Sequence, residues 1–247
     1  MASLKNKVVV ITGASSGIGK AAALEFAKKK SKIVLAARRT EKLKELENFI
    51  KRFNPNVLSV QTDVSKKTDV QNLFNQTEKK FGQTDILVNN AGRGLKANLF
   101  DTSDHDWDSV INTNLKGVFL CSREAAQRMI AKKIKGHIIT VSSIAGLYGA
   151  PSYGAYCASK HGVTGFKRSI RFELKKHQIK TSTIHPARID TEFFNIYKKR
   201  PHRSQMLSPR DIALYLVAIA SRSLIKRIHI KILNIFKRVY YLVRYSV

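Results

Sequence analysis

The sequence predicts an α/β protein in which a doubly wound parallel sheet forms a single domain. Short apolar runs alternate with helical stretches along most of the chain, and a glycine-rich turn follows the first run. Such alternation is typical of a parallel sheet covered by helices on both faces. A chain of 247 residues is long enough to bury the core of one such domain. The predicted strands lie near residues 8–12, 33–37, 57–60, 86–88, 137–141 and 181–184.

The glycine-rich turn joins the first predicted strand, residues 7–12, to a helix that begins near residue 20. Gly13 permits a tight turn, Gly17 lets the backbone approach a pyrophosphate, and Gly19 allows close packing of the helix on the strand. The N-terminus of the helix offers unpaired N–H groups and a partial positive charge to phosphates. The turn therefore predicts a dinucleotide site in a Rossmann-type fold. The cofactor contacts expected here are Gly13, Ser15, Ser16, Gly17, Ile18 and Gly19.

The end of the second predicted strand indicates which dinucleotide is bound. NAD sites usually have an Asp or Glu here, which binds the 2′-hydroxyl of the adenosine ribose. This chain has Arg38 and Arg39 instead, and guanidinium groups pair with phosphate oxygens through charge-assisted bonds. We therefore predict NADP(H) as the cofactor. The alternative is that both arginines are solvated surface charges of a very basic protein.

Further motifs follow one another along the chain. They are Thr12-Gly13-xxx-Gly17-Ile18-Gly19, Asp63-Val64, Asn89-Asn90-Ala91-Gly92, Asn114-Leu-Lys-Gly117, Ser143 and Tyr156-xxx-Lys160. In this order they resemble the motifs of the short-chain dehydrogenase/reductase family, and the resemblance covers roughly residues 5–220. It implies an oxidoreductase that acts on a small-molecule carbonyl or alcohol.

The resemblance also implies roles for single residues. The position of Asp63 hydrogen-bonds the adenine, and Ile189 and Thr191 match positions that contact the nicotinamide carboxamide. Asn114 matches a residue that positions a water between Lys160 and solvent. Other residues expected to contact the cofactor are Val64, Asn90, Ala91, Gly92, Tyr156 and Lys160.

Three side chains near the middle of the chain predict proton transfer. Tyr156 and Lys160 are four residues apart, so on a helix they share one face and the ammonium can lie near the phenol. A nearby cation stabilises phenolate, which lets Tyr156 act as the general acid in a reduction. The hydroxyl of Ser143, at the end of a predicted strand, can bind the substrate oxygen and stabilise its developing negative charge. Ser142 is the competing choice, and the family resemblance favours Ser143.

The composition indicates the cellular compartment but does not identify which anionic partners the protein binds. The two cysteines and seven histidines show no disulfide or metal-binding spacing. No apolar signal segment begins the chain, and its longest apolar stretch, residues 213–220, is too short to cross a bilayer. We therefore expect a cytoplasmic protein without a metal. The net charge of +28 attracts phosphorylated cofactors, coenzyme A esters, nucleic acids and anionic lipids alike.

The last part of the chain departs from the family pattern. We assign residues 1–221 to the Rossmann-fold domain and residues 222–247 to a basic tail, which belongs to the same domain or to an interface. Alternation over residues 228–232 predicts an edge strand, and an apolar stripe from residue 232 predicts a basic amphipathic helix. Such a helix can lie on a membrane surface, but we favour a hydrophobic mouth or a subunit contact. The resemblance implies a homodimer or homotetramer, and no motif indicates a nucleic acid partner.

The substrate region has two unusual features. Ala187 stands where the family usually has glycine, and it would be strained at positive φ. Residues 192–207 predict a lid, in which Phe193, Phe194 and Tyr197 favour an apolar substrate. We therefore predict an NADP(H)-dependent reductase of an apolar ketone or 3-oxoacyl compound. The alternatives are an NADP(H)-binding module whose tail engages a membrane, nucleic acid or protein, and a catalytic subunit whose pocket a partner completes.

Overall fold

The fold is taken from a computed structural model, which describes residues 3–192 and 206–221. The strands are β1 (Val8–Thr12), β2 (Lys32–Ala37), β3 (Val57–Gln61), β4 (Ile86–Asn89), β5 (His137–Val141) and β6 (Lys180–Ile184). They form one parallel sheet in the order β3-β2-β1-β4-β5-β6. The sequence-based prediction of a doubly wound parallel sheet is confirmed, and each predicted strand differs from the observed one by at most one residue at either end.

Helices connect the strands and cover both faces of the sheet. They are α1 (Gly17–Lys28), α2 (Thr40–Lys51), α3 (Lys67–Phe81), α4 (Asp104–Ile111), α5 (Gly117–Ala131), α6 (Gly154–Lys175) and α7 (Pro209–Ala220). A π-helical turn over Asn112–Lys116 joins α4 to α5, and a 3₁₀ turn over Ile144–Gly146 follows β5. None of the helices that the structure describes combines the length and the apolar content needed to span a bilayer.

The core has two halves because successive side chains of a strand point to opposite faces of the sheet. In β1, Val9 and Ile11 pack with apolar residues of α1, α2 and α7. Val8 and Val10 pack on the other face with residues of α3, α5 and α6. Every residue of β1 is buried, as expected for a parallel strand covered on both sides. The near-continuous apolar runs in the sequence reflect this double burial.

The strand order reverses between β1 and β4, because the chain runs from β1 towards one edge of the sheet and from β4 towards the other. Ligands of open α/β sheets bind outside the carboxyl ends of the strands at such a point. Thr12 ties the two strand ends together, since its Oγ1 accepts hydrogen bonds from the backbone N–H of Asn90 (3.0 Å) and of Ala91 (3.1 Å). The Asn90 side chain donates to the Thr12 carbonyl oxygen at 3.0 Å. These bonds hold the glycine-rich turn against the end of β4.

Several predictions from the sequence fall outside the described residues. These are the edge strand over residues 228–232, the amphipathic helix after it, and the lid aromatics Phe193, Phe194 and Tyr197. The two ends of the predicted lid are described: Glu192 pairs with Arg39, and the backbone of Leu207 pairs with Arg188 and Asp190. Ala187 does not have a positive φ, so the backbone strain that a positive φ would cause at this residue does not arise.

Candidate active site

A cavity of about 1130 Å³ opens at the carboxyl ends of the strands, on both sides of the switch point. It brings together nearly all of the predicted site residues. Those that line it are Gly13, Ser15, Ser16, Gly17, Ile18, Arg38, Arg39, Asp63, Val64, Asn90, Ala91, Gly92, Ser143, Tyr156, Lys160, Ile189 and Thr191. Two predicted residues, Gly19 and Asn114, lie behind the wall and support it.

The glycine-rich turn forms one wall through close backbone contacts. Gly13 has φ +66°, and a Cβ there would lie 2.8 Å from the Cα of Ala91. Gly17 has φ +52°, and a Cβ would lie 3.0 Å from Thr191 Cγ2. A Cβ on Gly19 would collide with the carbonyl oxygen of Gly13. The turn can therefore pass between β4 and residue 191 only with glycine at these positions.

We expect Gly19→Ala to destabilise the protein by about 1–3 kcal/mol, because the new methyl group meets backbone that cannot move aside. Urea denaturation measures the change in free energy of unfolding. The matched control is Gly165→Ala in α6, where a Cβ would meet nothing within 4 Å. In a helix this control should be neutral or stabilising by up to about 1 kcal/mol. Equal effects at both positions would contradict the packing role of Gly19.

The N-terminus of α1 faces the cavity without a side-chain cap. Ser16 is the N-cap residue, yet its side chain makes no capping hydrogen bond. Its Oγ instead accepts from Arg39 Nη2 at 2.7 Å, and Ser15 Oγ accepts from Arg39 Nε at 3.1 Å. The Ser16 side chain therefore leaves the first-turn N–H groups of α1 available to an anion such as a pyrophosphate in the cavity.

Asp63 lies at the end of β3, where the resemblance places the adenine. Its Oδ1 accepts hydrogen bonds from the backbone N–H and the hydroxyl of Ser65, at 3.0 and 2.7 Å. Burial opposes ionisation of Asp63, but these bonds and the charges of Arg38 and Lys66 outweigh it and lower the pKa of the carboxyl group. Asp63 is thus an oriented carboxylate, suited to accept a hydrogen bond from an exocyclic amine.

Tyr156 and Lys160 project from the first half of α6 into the cavity. The Nζ of Lys160 lies 5.7 Å from the centroid of the Tyr156 ring, so the expected proximity of the two groups is observed. Burial lowers the pKa of Lys160 from 10.5 to about 8, and its Nζ donates to the carbonyl oxygen of Val141 at 3.3 Å. Lys160 is therefore still mainly cationic at neutral pH and can stabilise phenolate.

Ser143 follows β5 and begins the 3₁₀ turn. Its Oγ accepts from the backbone N–H of Ala145 at 3.2 Å, an arrangement in which its O–H can still donate into the cavity. The hydroxyl of Ser142, the competing choice, donates to the carbonyl oxygen of Lys160 at 3.4 Å. Burial lowers the pKa of His185, whose Nδ1 lies 3.1 Å from the Ser143 carbonyl oxygen and helps to hold that backbone. The structure thus keeps Ser143 as the candidate for binding the substrate oxygen.

Asn114 occupies the centre of the π-helical turn and is fully buried. Its side-chain amide donates to the Arg93 carbonyl oxygen (2.9 Å) and to Ser159 Oγ (3.0 Å), and its Oδ1 accepts from the Arg93 N–H (2.8 Å). A Cβ on Gly92 would lie 3.3 Å from Asn114 Oδ1 and 3.7 Å from Lys160 Nζ, so both groups converge beside Gly92. π-Helical turns are frequent at functional sites, and this one brings an amide close to the ammonium of Lys160.

The residues of the cavity fit a dinucleotide. The glycine turn leaves space that a Cβ would fill, the α1 N-terminus is uncapped, and an oriented carboxylate and two arginines lie farther along the wall. Tyr156, Lys160 and Ser143 form the part of the wall that can transfer a proton to or from an oxygen. The site therefore has the groups of an oxidoreductase that acts with a dinucleotide.

Comparison with known proteins identifies the class. The model of the short chain dehydrogenase family matches residues 7–201. The chain therefore belongs to the short-chain dehydrogenase/reductase family, as the motifs predicted.

Individual relatives support this assignment. An uncharacterised oxidoreductase from Listeria monocytogenes is 38% identical over 207 residues, which cover 83% of each chain. Farnesol dehydrogenase from Aedes aegypti is 39% identical over 192 residues, covering 75% of this chain and 78% of the relative. The crystal structure of a short chain dehydrogenase/reductase from Burkholderia phymatum in complex with NAD matches the whole of both chains with a TM-score of 0.83 and 29% identity. The protein is thus an oxidoreductase of the short-chain dehydrogenase/reductase type.

The sequence did not reveal every residue that shapes the site. The roles of Thr12 and Ser159 depend on contacts with residues far along the chain, and neither residue type is distinctive. Glu192 was assigned only to the start of a lid, yet it lies at the cavity wall against Arg39. Pairing of this kind leaves no local pattern that could have predicted it.

Proposed function

We propose that the protein reduces an apolar carbonyl compound with NADPH and, in the reverse direction, oxidises the matching alcohol. The observation that carries the proposal is that Tyr156, Lys160 and Ser143 line one cavity together with Arg38 and Arg39. The first three residue types suit proton transfer at an oxygen, and the two arginines suit a phosphate on the adenosine ribose.

Side chains of this protein bind and protonate the oxygen of the substrate. When bound, the nicotinamide supplies the hydride for the carbonyl carbon. Ser143 Oγ donates a hydrogen bond to the carbonyl oxygen, and the Tyr156 hydroxyl transfers its proton to that oxygen as negative charge develops there. The ammonium of Lys160 stabilises the phenolate that remains. Asn114 holds the backbone of Arg93 at the edge of this region.

The preference for NADP(H) over NAD(H) is supported by the electrostatics at the end of β2. Arg38 is exposed at the cavity, and its guanidinium has no hydrogen-bond partner among the described residues. Arg39 is held by Ser15 and Ser16, with its charge near the glycine turn. A 2′-phosphate can therefore gain charge-assisted hydrogen bonds here that a 2′-hydroxyl gains only weakly.

We expect Arg38→Asp to lower the ratio of kcat/KM for NADPH to that for NADH by about 10- to 100-fold. The change removes one charged hydrogen bond and adds repulsion of the phosphate, each of which costs about a factor of ten. Initial rates with the two cofactors and one carbonyl substrate give the ratio. The control is Arg52→Asp, which makes the same charge change at the far end of α2 and should leave the ratio unchanged. An unaltered ratio in Arg38→Asp would remove the basis of the NADP(H) assignment.

An apolar substrate is supported by the wall around Tyr156. The cavity is lined there by the side chains Ile144, Tyr148, Ala150, Pro151 and Tyr153. A relative of similar length, from Aedes aegypti, is a farnesol dehydrogenase, and farnesol is an apolar alcohol. Long-chain ketones, isoprenoid aldehydes and 3-oxoacyl thioesters should therefore be turned over in preference to sugars. A panel in which only polyols reacted would reject this part of the proposal.

Self-association is part of the same proposal. Helices α4, α5 and α6 each expose an aromatic side chain: Trp107 is 43%, Phe119 38% and Phe172 70% accessible to solvent. Such side chains are typical of protein contacts. Sedimentation of the full chain should therefore give a homodimer or homotetramer.

We also infer a cytoplasmic location, because Cys121 and Cys157 are both free and buried.

A further inference from the structure

Glu192 places a carboxylate on Arg39, which lines the adenosine end of the cavity, and on Lys42 beside it. Its Oε2 lies 2.9 Å from Arg39 Nη1, and its Oε1 lies 3.1 Å from Lys42 Nζ. The hydrogen bonds from Arg39 and Lys42 lower the pKa of this carboxyl group, so it is an anion at neutral pH. Glu192 therefore bridges Arg39, the N-cap residue of α2, and Lys42 in its first turn, although it lies about 150 residues farther along the chain.

Three other N–H donors of Arg39 are also engaged. Its Nε and Nη2 donate to Ser15 Oγ at 3.1 and 2.9 Å, and Nη2 donates to Ser16 Oγ at 2.7 Å. These bonds fix the plane of the guanidinium, and they leave the Nη1 edge for Glu192. A carboxylate and a phosphate use the same donors of a guanidinium in similar geometry. The edge that could bind a phosphate thus already holds an anion of this chain.

We propose that Glu192 is a specificity-determining residue that competes with the cofactor's 2′-phosphate for Arg39 and Lys42. The inference rests on the proposed preference for NADP(H). A 2′-phosphate that approaches these cations must displace the carboxylate or lie beside it, and both cost binding free energy. A 2′-hydroxyl is uncharged, so a ligand that carries it does not compete with the carboxylate and does not incur this cost. Glu192 therefore narrows the discrimination between NADP(H) and NAD(H) that the arginines create.

Arg38 explains why such competition does not abolish phosphate binding. Its guanidinium, next to Arg39, has no hydrogen bond within the described ranges, so it can contact a phosphate without displacing Glu192. Both ion pairs of Glu192 are also about half exposed, and solvent weakens them. The competition should therefore change phosphate affinity several-fold rather than by orders of magnitude.

The test compares two ligands that differ only in the 2′-phosphate, adenosine 2′,5′-bisphosphate and adenosine 5′-monophosphate. Isothermal titration calorimetry gives the dissociation constant of each with the wild type, Glu192→Gln and Glu173→Gln. Glu173 is exposed on α6 outside the cavity, so its variant controls for the change in net charge. We expect Glu192→Gln to bind the bisphosphate about 3- to 10-fold more tightly, with the monophosphate changed less than about twofold. The gain should shrink at high salt.

The outcomes separate the inference from the proposed function. Preference of the wild type for the bisphosphate supports the NADP(H) assignment, and a larger preference in Glu192→Gln alone supports the competition. Unchanged affinities in Glu192→Gln, or equal gains in Glu173→Gln, would overturn the competition and leave the NADP(H) assignment intact. A wild type without preference that gains one in Glu192→Gln would support the competition and reject NADP(H) as the natural cofactor. No preference in either protein would reject both.

Discussion

Tyr156→Phe is expected to reduce carbonyl turnover by at least about 10³-fold while NADPH affinity changes less than about threefold. The variant keeps the ring that packs beside Tyr153 and Lys160 but lacks the hydroxyl that we propose transfers the proton. NADPH oxidation measured against a panel of ketones, aldehydes, acyl thioesters and quinones gives the rate, and fluorescence titration of NADPH gives the affinity. Loss of rate without loss of binding is the signature of a group that acts in the transition state.

The matched control is Tyr215→Phe, the same chemical change at a buried residue of α7 outside the cavity. Its rate should stay within about twofold of the wild type at temperatures where both proteins are folded. Full activity of Tyr156→Phe would show that another group supplies the proton. Tight NADPH binding by a wild type that reduces no member of the panel would instead support a binding module.

Lys167→Met is expected to raise the free energy of unfolding at pH 7 by about 1–4 kcal/mol. Lys167 lies on α6 and is only 3% exposed, and its Nζ has no hydrogen-bond partner among the described residues. Burial lowers the pKa of Lys167 from 10.5 to about 7, which shows that its charged form is disfavoured in the folded protein. Methionine has a similar shape and no polar atom to bury. Urea denaturation of both proteins measures the difference.

The pH dependence provides a second readout of the same residue. Between about pH 7 and 10.5 the unfolded chain holds a proton on Lys167 that the folded chain has lost, so the wild type gains stability relative to the variant as the pH rises. The advantage of Lys167→Met should be greatest at pH 7 and below and should fade towards pH 10.5. Lys175→Met, an exposed position of the same helix, should show neither effect. A destabilised Lys167→Met variant would mean that the ammonium is stabilised inside the core.

The sequence predicted the sheet and much of the site because both depend on local patterns. Strands buried on both faces need continuous apolar residues, and the turn at Gly13 and Gly17 needs positive φ. Both requirements determine residue types within short segments of the sequence. The spacing of Tyr156 and Lys160 predicted a shared helix face for the same reason. Features of this kind require no knowledge of distant parts of the chain.

Other features depend on contacts between distant segments and were not predictable. The pair of Arg39 and Glu192 is one example. The buried position of Lys167 is another, since a lysine in an amphipathic helix is expected on the solvent face. The π-helical turn at Asn114 is a third, because its hydrogen bonds to Arg93 and Ser159 determine its register. The tail after residue 221 and the aromatics after residue 192 are outside the described residues, so those predictions stay untested.

The strand order has a consequence for how this enzyme can change during evolution. The arginines that would select the electron donor follow β2, whereas the groups that would handle the substrate oxygen come from β5 and α6, across the switch point. Mutations at one location need not disturb the other, since the two groups share no residue within the part of the chain that the structure describes. A lineage can therefore move the proposed reaction between biosynthetic and catabolic pools of reducing equivalents by substitutions after β2, with the groups proposed to act at the substrate oxygen inherited intact.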